Sequence, residues 1–222
     1  MRSDLFPILY KATIQTVYMM GLSAIFALLI GIPLGILLVL SDKKGLMPMV
    51  KFNQVLSLII NTVRSIPSMI LVVVLLPLAR LIVGTGIGTS AAVVSVTVGM
   101  IPLIARVVNN SIKEVSAGKI EAAQAMGATT FEIVAKVLIP EALPSIVHGI
   151  TMSIISLVGF TAIAGCVGGG GLGNVAYRYG YDRFRIDVLI GTVAILVLIV
   201  QVIQLAGDLW VKLQYKKIGV TK

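Results

Sequence analysis

Few residues of this chain are of a type and spacing that could do chemistry, and most of that chemistry is excluded by what is missing around them. Gly168-Gly-Gly-Gly-Leu-Gly173 is as glycine-dense as a phosphate-cradling loop. Such a loop needs a Lys-Ser or Lys-Thr pair after its glycines to reach the outer phosphates and magnesium, and none follows. The G-x-x-x-x-G-K-[ST] pattern occurs nowhere else either, so the chain has no such route to ATP hydrolysis. His148 is the only histidine and Cys166 the only cysteine, which leaves neither a His/Cys metal spacing nor an internal disulfide. A lone helical histidine is more often a hydrogen-bonded structural group than a proton relay, and a lone cysteine a small packing residue. No catalytic residue, metal ligand or cofactor site is expected in this chain.

The elements that must position these residues are membrane spans. The chain is 58% apolar and 12% charged, with a mean hydropathy of +1.05, a balance that a soluble domain does not have. A hydrocarbon core about 30 Å thick takes roughly 20 apolar residues per helix. Uncharged stretches then place five spans at about residues 13–40, 53–79, 81–105, 142–167 and 188–207. The expected fold is all-α and integral to the membrane, with residues 1–222 as one transmembrane domain. The first hydrophobic run is too long, and too poor in a small-residue cleavage site, for a removable signal peptide, so it is read as retained. Gly84, Gly86 and Gly88 supply the turn between the second and third spans.

Charge sets the expected orientation. With the C-terminus inside, Lys43, Lys44, Lys51, Arg106, Lys113, Lys119, Lys136, Lys212, Lys216, Lys217 and Lys222 collect in the cytoplasm, and Arg2, Lys11, Arg80, Arg178, Arg183 and Arg185 stay outside. This excess favours N-terminus out and C-terminus in, and it accounts for the net charge of +9 without nucleic acid. All nine acidic residues then fall in loops or at span edges, which disfavours a proton-coupled carrier. The energy source is expected to be a separate chain.

The cytoplasmic segment 106–141 carries the functional argument. Ile120 to Met126 is alanine-rich and helix-favouring, and Gly127 stands where a left-handed C-terminal cap belongs. Thr129-Thr-Phe-Glu132 predicts a capping box at the start of a second helix. Phe131, Val134, Ala135 and Leu138 predict one apolar face, and Pro140 the end of that helix. By spacing alone, an amphipathic helix resting on lipid remains an alternative.

Glu121-Ala122-Ala123-Gln-Ala-Met-Gly127, followed by Val137-Leu-Ile-Pro140, resembles the E-A-A-x3-G-x9-I-x-L-P motif of bacterial ABC-importer permeases, with Val137 and Ile139 as conservative departures. The likeness extends through Asn61-Thr-Val-Arg-Ser-Ile-Pro67, Pro140-Glu-Ala-Leu-Pro144, the glycine run and Arg178-Tyr-Gly-Tyr-Asp-Arg-Phe184, which together resemble the permeases of methionine importers. The resemblance implies a bacterial inner-membrane homodimer, two copies of a cytoplasmic ATPase that binds the ATP, and an extracytoplasmic protein that delivers the amino acid. It also implies that Glu121, Ala122, Ala123, Gly127 and Pro140 belong to a coupling helix docked on the ATPase. A permease for another small solute, or a channel working without ATP, is the alternative.

Three further features have expected roles. Arg64, inside the second span with Asn61 one turn before it, must face protein or water rather than lipid, as a pathway or dimer-interface residue, or else snorkel to head groups. Gly168, Gly169, Gly170 and Gly171 are read first as close packing or a bend at the outer end of the fourth span, and second as an outer gate. Arg178 and Tyr181 suit an outer loop that meets a docked protein, although an interfacial aromatic belt explains the tyrosines equally well.

Overall fold

The computed structural model describes residues 4–218; the side chains of Arg2, Lys216, Lys217 and Lys222, counted above for orientation, lie outside what it describes. Among the described residues there is no strand. Four helices are long and apolar enough to cross a membrane, and a fifth crossing is formed by a bent pair. The first crossing is α1 (Leu5–Leu40), which starts earlier than expected and carries Pro33 in its interior. The second climbs through α2 (Val50–Ser65), α3 (Ser68–Val74) and α4 (Leu76–Val83). The third is α5 (Thr89–Lys113). A short α6 (Ala117–Ala125) and α7 (Thr130–Ile133) lead into the fourth, α8 (Ile139–Ala164). The glycine segment holds α9 (Gly171–Val175), and α10 (Ile186–Ile218) is the last crossing.

α5 is the axis of the bundle. It packs most extensively on α1 and next on α8, and its Val96, Met100, Ile104 and Val108 are almost wholly buried. The approach of α1 is close because Gly31 and Gly35 form a small-xxx-small stripe: an added Cβ would lie 2.8 Å from the Ile104 side chain at Gly31 and 2.7 Å from the Ala105 carbonyl at Gly35. Asn53 fastens α2 to the end of α1 by donating Nδ2–H to the Leu38 carbonyl at 2.7 Å and to Ser41 Oγ at 2.9 Å. α10 is the least buried of the four continuous crossings.

Two of the expected spans have a different course. Residues 53–79 do not form one helix, because α2 and α3 meet at 107°. Pro67 disfavours helical geometry at the residue before it, and Ile66 is extended (φ −78°, ψ 126°). The fourth span does not begin at 142, and Pro140 does not end the preceding helix: the helix runs through it from Thr130. A π-helical turn at Val134–Leu138, closed by the Ile139 N–H on the Val134 carbonyl, absorbs the missing proline donor. Gly84, with φ +80°, caps α4 and starts the turn to α5 where the glycines predicted one.

Candidate functional site

The segment between α5 and α8 is a helix, a left-handed turn and a helix. Gly127 has φ +80°, and the turn is closed by the Gly127 N–H on the Gln124 carbonyl at 2.9 Å and the Ala128 N–H on the Ala123 carbonyl at 3.1 Å. At Thr129 the capping box is complete. The Glu132 N–H donates to Thr129 Oγ1 at 3.3 Å, and the Thr129 N–H donates to Glu132 Oε2 at 3.0 Å. That backbone donor, with Lys136 Nζ at 3.0 Å, holds the Glu132 carboxyl at about 2, so it stays charged at any physiological pH.

The apolar face of the second helix differs from the expected one. Phe131 is 79% exposed, and Ala135 is exposed as well. Ile133 and Leu138 are buried, with Val134 and Val137 packed beside them. The π-helical turn rotates later side chains relative to a 3.6-residue period, so the i, i+3, i+4, i+7 rule fails across it. Of the motif residues, Ala123 is buried at 4% exposure against the core that contains Ile112, Ile133 and Leu138. Glu121, Ala122, Gly127 and Pro140 are exposed. Glu121 forms no ion pair among the described residues.

The helix–turn–helix is therefore seated by small and branched apolar residues and presents its motif outward. Met126, 81% exposed, and Phe131 stand on either side of the Gly127 turn as bare apolar knobs. The unit is tied to both neighbouring spans. Lys119 pairs with Glu141 at 2.6 Å, Ser145 donates to Glu114 at 2.8 Å, and Lys113 pairs with Asp42, whose carboxyl is held below its usual range chiefly by that lysine. These contacts join the segment to the ends of α1, α5 and α8.

Asn61 and Arg64 lie exposed on the last turns of α2. The structure adds a neighbour that the sequence placed at the membrane edge: Arg106, two turns inside α5, donates from Nη2 to Asn61 Oδ1 at 2.8 Å. No local signal marks this contact between residues 45 positions apart. Charge in an otherwise apolar helix was the one available hint.

At the other end, Gly168, Gly170 and Gly171 all have positive φ, at 97°, 80° and 74°, and the segment turns back against α1 and the α4–α5 connection. Gln15 Oε1 accepts from the Gly171 N–H at 2.9 Å, Thr16 Oγ1 from the Leu172 N–H at 2.8 Å, and the Gly168 carbonyl from the Gly88 N–H at 3.0 Å. Gly169 is buried, its absent Cβ only 2.8 Å from that of Ala92. Close packing and a bend are thus both present. Arg178 and Tyr181 are exposed beyond it, with Tyr181 stacked on Tyr177 at 5.5 Å. Cys166, on the last helical turn before the glycine bend, is exposed rather than packed away. His148 is likewise exposed, on α8.

Comparison with known proteins adds sequence and fold likeness. Residues 31–220 match the family described as binding-protein-dependent transport system inner membrane component. The chain is 45% identical over 212 residues to the probable D-methionine transport system permease protein MetI of Vibrio cholerae, covering 96% of this chain and 93% of that one. It is 44% identical over 201 residues to the methionine import system permease protein MetP of Bacillus subtilis, covering 90% of each. A solved structure described as inward facing conformations of the MetNI methionine ABC transporter superposes with a TM-score of 0.93 at 42% identity, over 100% of both chains. An amino acid ABC transporter shares the fold at 20% identity and a TM-score of 0.78.

Proposed function

This chain belongs to the family of binding-protein-dependent transport system inner membrane components, and we propose that it acts as the permease of an ATP-driven methionine importer. It is a multi-pass membrane protein and not itself the ATPase. The observation that carries the reading is the likeness, over the full length of both chains, to the permease fold of a methionine ABC transporter. In this reading two copies of the chain enclose the pathway, two copies of a cytoplasmic subunit bind and hydrolyse ATP, and an extracytoplasmic binding protein delivers methionine.

The geometry supplies a route for the work. ATPase closure moves the unit from α6 to the Gly127 turn, which is docked through Met126, Phe131 and the exposed face around Glu121. The ties from Lys119 to Glu141 and from Ser145 to Glu114 make the adjoining ends of α5 and α8 follow. Alternation between inward and outward openings needs only that the ATPase bind one arrangement better than the other. At the opposite end the Gly168–Gly171 bend serves as the outer gate, and Arg178 and Tyr181 as contacts for the binding protein. Asn61 and Arg64 face the pathway rather than lipid.

The cargo is tested by uptake of labelled methionine into vesicles holding permease and ATPase, with and without the binding protein, against unlabelled amino acids as competitors. Methionine is expected to be taken up only with all three proteins present. Import of another solute with methionine ignored would remove the cargo and leave the importer.

The N-terminus is assigned outside and the C-terminus inside on the distribution of basic residues. Cysteine placed at Lys43 or Lys119, in a Cys166→Ser background because Cys166 is exposed, is expected to resist a membrane-impermeant maleimide in intact cells, while Thr85→Cys reacts. Labelling at positions 43 and 119 with protection at 85 would reverse the orientation.

A further inference from the structure

We infer that Arg106, with Arg64 one turn beyond its partner Asn61 on α2, forms a carboxylate-receiving station in the inner half of the pathway, a contact made by the amino acid in transit. This rests on the importer reading above.

Depth is the first observation. Arg106 lies seven residues before Lys113 at the end of α5, about 10 Å along the axis, and Asn61 lies eleven residues beyond Val50 at the start of α2, about 16 Å along it. Both contact residues therefore lie about two turns or more inside those helix ends. The second observation is that the charge is uncompensated. The four ion pairs among the described residues are Lys113–Asp42, Lys119–Glu141, Lys136–Glu132 and Arg185–Asp187, and neither Arg64 nor Arg106 takes part in one. The third is access. Arg64 and Asn61 are exposed and Arg106 is half-buried, so the face is open, and a face bearing two cations at this depth opens to water rather than to lipid.

The chemistry of the patch selects the occupant. A guanidinium has five N–H donors and no acceptor. One donor from Arg106 goes to Asn61, which fixes the plane of the group and leaves the rest of its fork free. Arg64, one turn from Asn61 on the same helix face, adds a second fork. A carboxylate or a phosphate satisfies such an array with paired charge-assisted hydrogen bonds, whereas an ammonium or a neutral apolar group does not. The moving species of an amino-acid importer brings a carboxylate to this place. An anionic lipid head group would bring a phosphate.

The test uses the assembled importer in vesicles with saturating methionine-loaded binding protein, reading methionine imported per ATP hydrolysed. Arg106→Gln removes the charge and, its amide nitrogen being two bonds short of Nη2, the reach to Asn61 as well; uptake per ATP is expected to fall about tenfold or more, and to fall less in Asn61→Ala, which breaks only the tie. Arg106→Lys keeps the charge without the fork and is expected to recover to within about threefold of the parent. Arg64→Gln is expected to fall less than Arg106→Gln. Parent-like uptake in Arg106→Gln would overturn the inference, and so would an equal loss in Asn61→Ala, which breaks the tie between α2 and α5 while keeping the guanidinium. A defect that vanishes in vesicles of phosphatidylcholine alone, and appears only with phosphatidylglycerol present, would assign the site to lipid and also overturn it. If the parent complex imports no amino acid, the importer reading fails with it; if the parent imports methionine and both variants match it, only the station fails.

Discussion

Valine at Gly127 is expected to abolish methionine uptake while leaving the permease inserted and folded. Gly127 has φ +80°, and an added Cβ would meet nothing within 4 Å. The penalty is therefore conformational rather than steric. A β-branched residue is a true outlier in the left-handed region, so the turn must unwind, and the exposed unit of α6, Met126 and Phe131 loses its orientation. Asparagine tolerates that region and should retain most of the uptake. Charge reversal at Glu121 probes the same surface by another route. Glu121 is exposed and unpaired among the described residues, so Glu121→Lys should leave expression and thermal stability of the isolated permease unchanged. Uptake by the assembled importer should nevertheless drop about tenfold or more if this face is the docked one, because reversing a charge at an interface upsets its electrostatic complementarity. Normal uptake in both Gly127→Val and Glu121→Lys would remove the coupling role from this loop.

Alanine at Gly173 should cost the folded protein itself. A Cβ there would lie 2.1 Å from the Ala162 carbonyl oxygen and 2.6 Å from its Cα. Those are backbone atoms of a membrane-spanning helix and cannot rotate aside as a side chain can. On the facing side, a Cβ added at Gly165 would lie 2.7 Å from both the Gly170 carbonyl oxygen and the Asn174 nitrogen. One methyl group must then push α9 from α8 and break the Asn174 Nδ2–H bond to the Gly165 carbonyl at 3.1 Å. Overpacking of this kind costs about 1–3 kcal/mol where side chains can yield, and more where only backbone is available. The expected result is loss of most monodisperse permease after detergent extraction. Parent-like yield and melting temperature in Gly173→Ala would contradict the packing described for the glycine segment.

What could be read from the sequence was the part set by near neighbours. The Gly127 turn and the Thr129–Glu132 box are fixed by residues within a few positions of each other, and both form as their residue types require. The turn at Gly84 is equally local. Hydropathy located the crossings but not their course. The run from Asn53 to Ala79, with Arg64 as its one charge, has no feature of composition that distinguishes a straight helix from one bent by 107°, although Ile66-Pro67 was the chemical reason for the bend. Pro140 misled in the opposite direction, because a proline can be carried through a helix by a π-helical turn. That turn displaced the apolar face from Phe131 and Ala135 to Ile133, Val134, Val137 and Leu138.

The contacts that define the candidate pathway and gate were hidden for a different reason. Arg106 reaches Asn61 across 45 positions, and Gln15 and Thr16 reach the glycine segment across 156. Neither pairing has a local period or motif. The Gly31–Gly35 stripe against α5 did carry a signal in its four-residue spacing, and reading that spacing would have predicted which helix is most closely approached.

The central claim is that this chain lends its pathway to energy released in another chain. The direct measurement is ATP hydrolysis in vesicles containing the permease alone, the permease with its ATPase, and both with methionine-loaded binding protein, with internal methionine followed in parallel. The account predicts no hydrolysis from the permease alone, and hydrolysis stimulated by the loaded binding protein together with methionine accumulation in the complete system. Methionine accumulating through the permease without the ATPase, or hydrolysis indifferent to the loaded binding protein, would contradict it.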